Sequence, residues 1–335
     1  NGSGGLFFDM GLGKSLTALA HLKINPQDRP ALMITTATTK SQWPREAKKW
    51  NIHEPFVVLQ GMKGDWIPPT AKMVYINWEI LHAWEKAIMD WNPKVVVADE
   101  VQAVGNSSSK RTKAFRRICA GRKLVALSGT PMMSKPAQMW SIASILNPSL
   151  CGGKEWNFLN RYCAPKPGFG GRMTFTGASN VEELHEKVRE FSIRKTKIQV
   201  LKDLPDRVYI PVMLECQPSE AYREAEARIL SAQGVNAGML QERLATLTAS
   251  AYALKRDAVV SWITDFLEDS DEKLVVFAWH RSVIEHLSSV LGKTAVTVYG
   301  GVSGDQKSKA VERFIKDPSC RIFIGQTESA GEIGR

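Results

Sequence analysis

The sequence predicts an α/β protein with mostly parallel sheets in two lobes, on two observations. Short apolar runs at Ala31 to Thr35, Phe56 to Leu59, Met73 to Ile76, Val95 to Ala98 and Leu124 to Leu127 alternate with helical or loop segments, which is the texture of βαβ units. From Lys273 the texture returns: KLVVFA, a helix with Val283, Leu287, Val290 and Leu291 on one face, AVTVY followed by Gly300 and Gly301, a helix ending near Phe314, and RIFIG. Between the two patterns the character changes. Gly152, Gly153 and PKPGFGGR (Pro165 to Arg172) are loop chemistry, and two helical segments follow Pro218. In the second of these, Leu240, Leu244, Leu247, Ala251 and Leu254 form an apolar face that calls for a helical neighbour.

At 335 residues the chain can bury two domains of ordinary size. With 44% apolar and 23% charged residues its composition is that of a soluble protein, and no apolar run is long enough to span a membrane. Five cysteines, at 119, 151, 163, 216 and 320, form no CxxC pair, so free thiols in a reducing compartment are expected. His280, after the run ending at Ala278, reads as a hydrogen-bonded structural histidine. Forty-four basic against thirty-four acidic residues leave a formal charge of +10, which favours a polyanionic partner. The excess is concentrated. Lys110 to Lys123 carries seven basic residues and no acid, and Glu186 to Arg207 is basic again; a solvated helix face accounts for the first run equally well.

Two short stretches carry the chemistry. DMGLGKS, Asp9 to Ser15, follows the apolar run Leu6 to Phe8, and Asp99 with Glu100 follows Val95 to Ala98. In the first, Gly11 and Gly13 permit a tight backbone that aims N–H groups at phosphates, and a helix opening near Lys14 adds its positive end. Lys14 would reach the β and γ phosphates and the Ser15 hydroxyl would ligate Mg²⁺. Leu16, Leu19 and Ala20 supply the helical spacing. Phe8 stands where the strict GxxxxGK[ST] pattern has its first glycine. In the second stretch, carboxylates at the carboxyl end of a buried parallel strand lie where open α/β sheets bind ligands. Asp99 is expected to hold Mg²⁺ and Glu100 to polarise an attacking water. Together they predict binding and hydrolysis of ATP.

The same residues belong to a longer series. DMGLGKS, LMITTATTKSQWPREAKKW, INWEIL, DEVQAVGN, LSGTPMMSKPAQMWSI, IRKTKIQVLKDLP, VVFAWHRSVIEHL and VYGGVSGDQKSKAVERF resemble, in order and approximate spacing, the helicase motifs of Swi/Snf-type DNA-dependent ATPases of helicase superfamily two. LSGTPMMSKP and NRYCAPKPGFGG look closest to the SMARCAL-type annealing helicases and their bacterial or phage relatives. The resemblance implies two RecA-like lobes with parallel sheets and a helical insertion between them, the second lobe incomplete. Lobe 1 would span residues 1–146, the helical protrusion and basic linker 147–256, and lobe 2 257–335, with ATP in the cleft between the lobes.

By position, the resemblance implies that Gly11, Gly13, Lys14 and Ser15 form the nucleotide loop, with Asp99 and Glu100 as the magnesium and water site. Ser128, Gly129 and Thr130 would couple nucleotide state to the DNA-contacting surface, although the residues alone also read as a strand ending in a turn at Pro131. Thr38, Lys40, Gln42 and Trp43 fall in the segment that lies against the DNA backbone. Trp43 and Trp50 also read as core aromatics, Trp50 the more so, and Trp78 stands where tyrosine is usual. The family's proline before Gln42 is replaced around Thr36. The stretch QTESAGEIGR matches the later AG motif in part. Neither the arginine-rich motif, whose arginines would stabilise charge on the transferring phosphate, nor the amino-terminal adenine contact is found, so a fragment of a longer protein is expected. The reading that follows is an ATP-dependent double-stranded DNA translocase of the bacterial or phage-infected cytoplasm, acting on double-stranded or forked DNA. A nucleotide-gated DNA-binding module with negligible turnover, and the motor part of a restriction or phage-defence enzyme, remain alternatives.

Overall fold

A strand covered by helices on both faces is apolar along nearly its whole length, and the central strands of the first lobe are of this kind. In the computed structural model, which describes residues 2–132, 135–168, 173–205, 208–214, 216, 218–231, 237–302 and 304–327, the chain divides into two compact units, Asn1–Pro205 and Asp206–Arg335.

In the first unit β1 (Gly4–Phe8), α1 (Lys14–Ile24), β2 (Ala31–Thr35), α2 (Gln42–Lys49), β3 (Phe56–Val58), β4 (Met73–Asn77), α3 (Glu85–Trp91), β5 (Val95–Ala98), α4 (Lys110–Cys119) and β6 (Lys123–Leu127) follow one another. After them come α5 (Trp140–Leu146), α6 (Glu155–Tyr162), the hairpin β7 (Lys166–Pro167) and β8 (Met173–Thr174), α7 (Val181–Arg189), β9 (Ser192–Lys195) and α8 (Lys197–Val200). Seven strands form one parallel sheet in the order β3-β4-β2-β5-β6-β1-β9. Alternate residues feed two cores. Leu32, Ile34, Val74, Ile76, Val96 and Ala98 face Phe115, Ile118, Trp140 and Phe158. Met33, Tyr75, Val95 and Val97 face Ala18, Leu19, Leu22, Trp43 and Ala47. The buried stripe of α1 is therefore Ala18, Leu19 and Leu22, whereas Leu16 and Ala20 are exposed.

The second unit contains α9 (Glu220–Leu230), α10 (Ala237–Asp269), β10 (Leu274–Ala278), α11 (Arg281–Leu291), β11 (Ala295–Val298), α12 (Gly304–Lys316) and β12 (Ile322–Gln326). Its parallel sheet runs β10-β12-β11. Ile263 of α10 and Val283, Ile284 and Leu287 of α11 cover one face, and α12 covers part of the other through Ala310, Val311 and Phe314. Val290, expected on the buried face of α11, is half exposed, and Ile284 takes that place. Helix α9 is the neighbour of α10, although Leu240 and Leu244 remain exposed. His280 shares a 2.7 Å hydrogen bond with Thr248.

One feature differs from the sequence division. Residues 147–205, assigned there to an insertion and linker, belong to the first compact unit. Leu150, Phe158, Tyr162 and Leu184 pack into the first core, and β9, four residues of the basic stretch, adds a strand to the edge of the sheet beside β1. Met133, Ser134, Phe169 to Arg172, Arg207 and the AG motif at Ala330 and Gly331 lie outside the described residues. All five cysteines are free. Among the described residues no helix is long and apolar enough to cross a membrane.

Candidate functional site

The carboxyl ends of β1, β2, β4, β5 and β6 deliver Asp9, Thr35, Asn77, Asp99 and Ser128 to one edge of the sheet, where parallel α/β sheets place their ligand sites. Between β1 and α1 the chain turns through Gly11 (φ 83°) and Gly13 (φ 79°), both left-handed. No atom lies within 4 Å of where a Cβ would stand on either glycine, so the space beside both is open. Gly13 is the residue before the first turn of α1, and the free N–H groups of that turn point towards the loop.

Lys14 donates from Nζ to the Phe8 carbonyl at 3.0 Å. Its burial disfavours the charged form and lowers its pKa, against the opposing pull of Glu100, Asp99 and Asp9. A Cβ on Gly129 would stand 3.7 Å from Nζ. The glycine loop, the acid pair and the Ser-Gly-Thr turn thus share one neighbourhood. Ser15 follows on the first turn of α1, half-buried.

Asp99 is only 8% exposed. Its Oδ2 accepts from Thr35 Oγ1 and from the Trp43 indole N–H, both at 3.3 Å, and Oδ1 accepts the Glu100 N–H at 3.0 Å. The Trp78 indole N–H donates to the Asp99 carbonyl at 2.8 Å. Burial and the neighbouring Glu100 push the Asp99 carboxyl up to about 6, against the hydrogen bonds from Trp43 and the Glu100 backbone and the charge of Lys14. A folded-state value above the ordinary 3.8 means that the folded chain holds this proton more tightly, so the site loses stability as pH rises towards 6. In metal-free buffer the stability of Asp99→Asn relative to the parent should therefore rise between about pH 4 and pH 7, by on the order of 3 kcal/mol. A pH-independent difference in denaturant unfolding would contradict this.

Glu100 has a left-handed backbone, φ 50° and ψ 49°. Its carboxylate accepts a hydrogen bond from Gln102 Nε2; Gln102 Oε1 accepts from Ser128 Oγ at 2.7 Å, and Ser128 Oγ in turn accepts the Thr130 N–H at 3.0 Å. Gln102 is a residue that sequence reasoning missed. It joins the acid pair to the Ser128–Thr130 turn, and its position two residues after Glu100 was the available signal. Arg194 of β9 was missed as well, being read as part of a basic linker. It donates to the Phe7 and Gly129 carbonyls and pairs with Asp9 at 2.6 Å.

The segment read as a DNA contact divides. Thr38 is half-buried and Gln42, the first residue of α2, is exposed. Trp43 is 4% exposed, committed to the core and to Asp99, so that its ring is not a surface group. Lys40 is turned inward. Its ammonium donates to the Leu59 carbonyl at 2.7 Å and to Asn77 Oδ1 at 2.8 Å, and burial lowers its pKa against the pull of Glu79. Trp50, expected in the core, is 41% exposed. The basic run divides too. Arg117 pairs with Glu85, Arg122 donates to Asn92 Oδ1 and to the Pro93 and Ile118 carbonyls, and Lys123 pairs with Asp28. Lys110 and Lys113 are exposed.

Comparison with known proteins gives the same architecture. The chain is 27% identical to the human "DNA annealing helicase and endonuclease ZRANB3" over 97% of its own length and 32% of that protein. It is 26% identical to the Drosophila melanogaster "SWI/SNF-related matrix-associated actin-dependent regulator of chromatin subfamily A-like protein 1", over 97% of this chain and 45% of that one. An "Uncharacterized ATP-dependent helicase" of Mycoplasma pneumoniae is 24% identical over 99% of this chain and 34% of its own. The chain therefore spans between about a third and a half of the length of these relatives. Among solved structures, the "Sulfolobus solfataricus SWI2/SNF2 ATPase core in complex with dsDNA" matches with a TM-score of 0.51 and 22% identity, over 97% of this chain and 73% of that one. The fold is that of an SWI2/SNF2 ATPase core. Residues 1–259 match the model of the SNF2-related domain, and the chain belongs to that family.

Proposed function

We propose that this chain is the motor core of a DNA-dependent ATPase that translocates on double-stranded or forked DNA and remodels branched DNA or protein–DNA complexes. The observation that carries the reading is the shared neighbourhood of Lys14, Asp99, Glu100 and Gly129 at one edge of the sheet. The names of the relatives, which describe helicases and a double-stranded DNA complex, support the choice of partner.

The residues fit a magnesium-bound ATP. The open loop at Gly11 and Gly13 leaves room for phosphate oxygens against backbone N–H groups. Lys14, released from the Phe8 carbonyl, would reach the β and γ phosphates. Ser15 and Asp99 are one hydroxyl and one carboxylate, the sparse protein share that magnesium takes when phosphates and water complete its shell. Ser15 and Asp99 would hold the magnesium ion, whose positive charge would offset the charge that develops on the phosphates. Glu100, held by Gln102, would orient a water for attack on the γ-phosphorus and accept its proton; the bond to the β,γ-bridging oxygen breaks and ADP leaves with that electron pair. The bonds through Gln102, Ser128 and Thr130 give nucleotide state a route to the coupling turn, in which Gly129 supplies freedom beside two hydroxyls. Thr38 and Gln42 are the donors left to meet phosphate oxygens of DNA, while Lys40 and Trp43 brace the segment from behind.

Held mainly by charge, duplex DNA should bind with little sequence preference. The affinity should fall with salt at a logarithmic slope of about −0.9 per phosphate neutralised. The deciding experiment is ATP hydrolysis by the full-length protein with and without duplex or forked DNA, beside Lys14→Ala. DNA should raise the rate and the variant should abolish it; an unstimulated rate that is equal in both proteins overturns the reading.

A further inference from the structure

We propose that Arg194 is a positioning residue of the phosphate site: from the edge strand β9 it holds the root of the glycine loop and the Ser-Gly-Thr turn in one frame, and so fixes where Lys14 meets phosphate. The inference rests on the nucleotide reading above.

One guanidinium serves three acceptors. Nη1 donates to the Phe7 carbonyl at 2.8 Å and to the Gly129 carbonyl at 3.0 Å, and Nη2 donates to Asp9 Oδ1 at 2.6 Å. Phe7 and Asp9 flank Phe8, whose carbonyl receives Lys14 Nζ, and Gly129 is the residue whose Cβ position lies 3.7 Å from that same nitrogen. Arg194 therefore holds two backbone carbonyls and one carboxylate, all on segments next to the lysine's own contacts. Asp9 is gripped from a second direction, since its Oδ2 accepts the Lys197 N–H at 2.9 Å and its own N–H donates to the Lys195 carbonyl at 2.9 Å. The Lys197 backbone bond, with the charge and hydrogen bond of Arg194, lowers the Asp9 pKa despite its partial burial.

The residue type fits the task. A planar fork with five donors can bond carbonyls and a carboxylate at once, whereas an ammonium is a point charge with no fixed geometry. A cation near Lys14 would by itself repel it, and Arg194 does disfavour the charged lysine while Asp9 favours it. The ion pair thus supplies rigidity to the loop while limiting the repulsion. The Arg194 side chain is 40% exposed, so little of its value comes from burial; its three bonds go to the loop root and the turn.

The test is the affinity of this chain for the fluorescent analogue MANT-ATP with Mg²⁺, measured beside its affinity for duplex DNA. Arg194→Ala is expected to weaken MANT-ATP binding about tenfold, the scale of losing charge-assisted hydrogen bonds, and to leave duplex affinity unchanged. In the full-length protein the KM for ATP should rise by the same factor and kcat should fall by less. Arg194→Lys should not rescue the loss. Parent-like MANT-ATP affinity in Arg194→Ala, or equal losses for nucleotide and DNA, would each overturn the inference. If Arg194→Ala does not fold, Arg194→Lys decides: weakened MANT-ATP binding with unchanged duplex affinity supports it, and parent affinity overturns it. Lys14→Ala separates the two readings. Should that variant still bind MANT-ATP like the parent, the nucleotide reading fails; should it lose binding while Arg194→Ala does not, only the role of Arg194 fails.

Discussion

Glu100→Gln is expected to keep ATP on the full-length protein while cutting the hydrolysis rate by about 10²- to 10⁴-fold, the range for losing one positioned proton-transfer group. The substitution preserves length and shape. A glutamine oxygen at this position can still accept from Gln102 Nε2, so the bonds onward to Ser128 and Thr130 remain available. What disappears is the negative charge that would polarise the attacking water. Lys14, whose charged form Glu100 favours, would also become easier to deprotonate. Single-turnover release of labelled phosphate, read beside retention of the nucleotide, separates the two steps. If phosphate release continues at the parental rate, the water belongs to another residue. If the parent itself retains ATP without releasing phosphate and Glu100→Gln changes nothing, the chain is a nucleotide-gated binding module and not a motor.

The second large effect is on stability. Trp78 is 1% exposed, packs edge-to-face on Phe115 with ring centroids 5.3 Å apart, and donates its indole N–H to the Asp99 carbonyl at 2.8 Å. Trp78→Ala should cost about 3 to 5 kcal/mol through the cavity and the lost contacts. Trp78→Phe keeps most of the ring volume and deprives the Asp99 carbonyl of this donor, at a cost of about 1 to 3 kcal/mol. Denaturant unfolding of the two variants checks the order. Equal losses would mean that the indole bond contributes nothing beyond packing.

The elements that were legible in the sequence are those whose residues have one physical solution. Val95–Ala98 and Ala31–Thr35 are buried at every position, and only a covered parallel strand gives such a run its partners. Gly11 and Gly13 sit where the backbone is left-handed, a conformation that glycine adopts without penalty. Ser192–Lys195 was opaque for the opposite reason. Its sequence SIRK has no buried residue, and an edge strand is held by backbone bonds and by the Arg194 clamp, neither of which leaves a hydrophobic period. Tryptophan misled in both directions. Trp43 could face DNA or the core, and a buried carboxylate needing a donor from the far side of the sequence decided in favour of the interior. Trp50, by spacing a core residue, lies just beyond the last turn of α2 and stays partly in solvent, where its carbonyl receives Lys23 Nζ. Gln102 looks like any polar loop residue until the fold brings Ser128 to it.

The order of strands in the large sheet also governs how the molecule is made. Strand β1 lies between β6 and β9, with Gly5 opposite both Ala126 and Ser192. On the ribosome the segment bearing the glycine loop emerges well ahead of both neighbours and must wait for residues far downstream before either flank is covered. Closing so long a span adds modest entropy but delays the pairing, and an uncovered strand flank is a template for a neighbouring polypeptide. A nascent chain released before Lys195 would therefore carry its glycine loop on a strand with one flank still open.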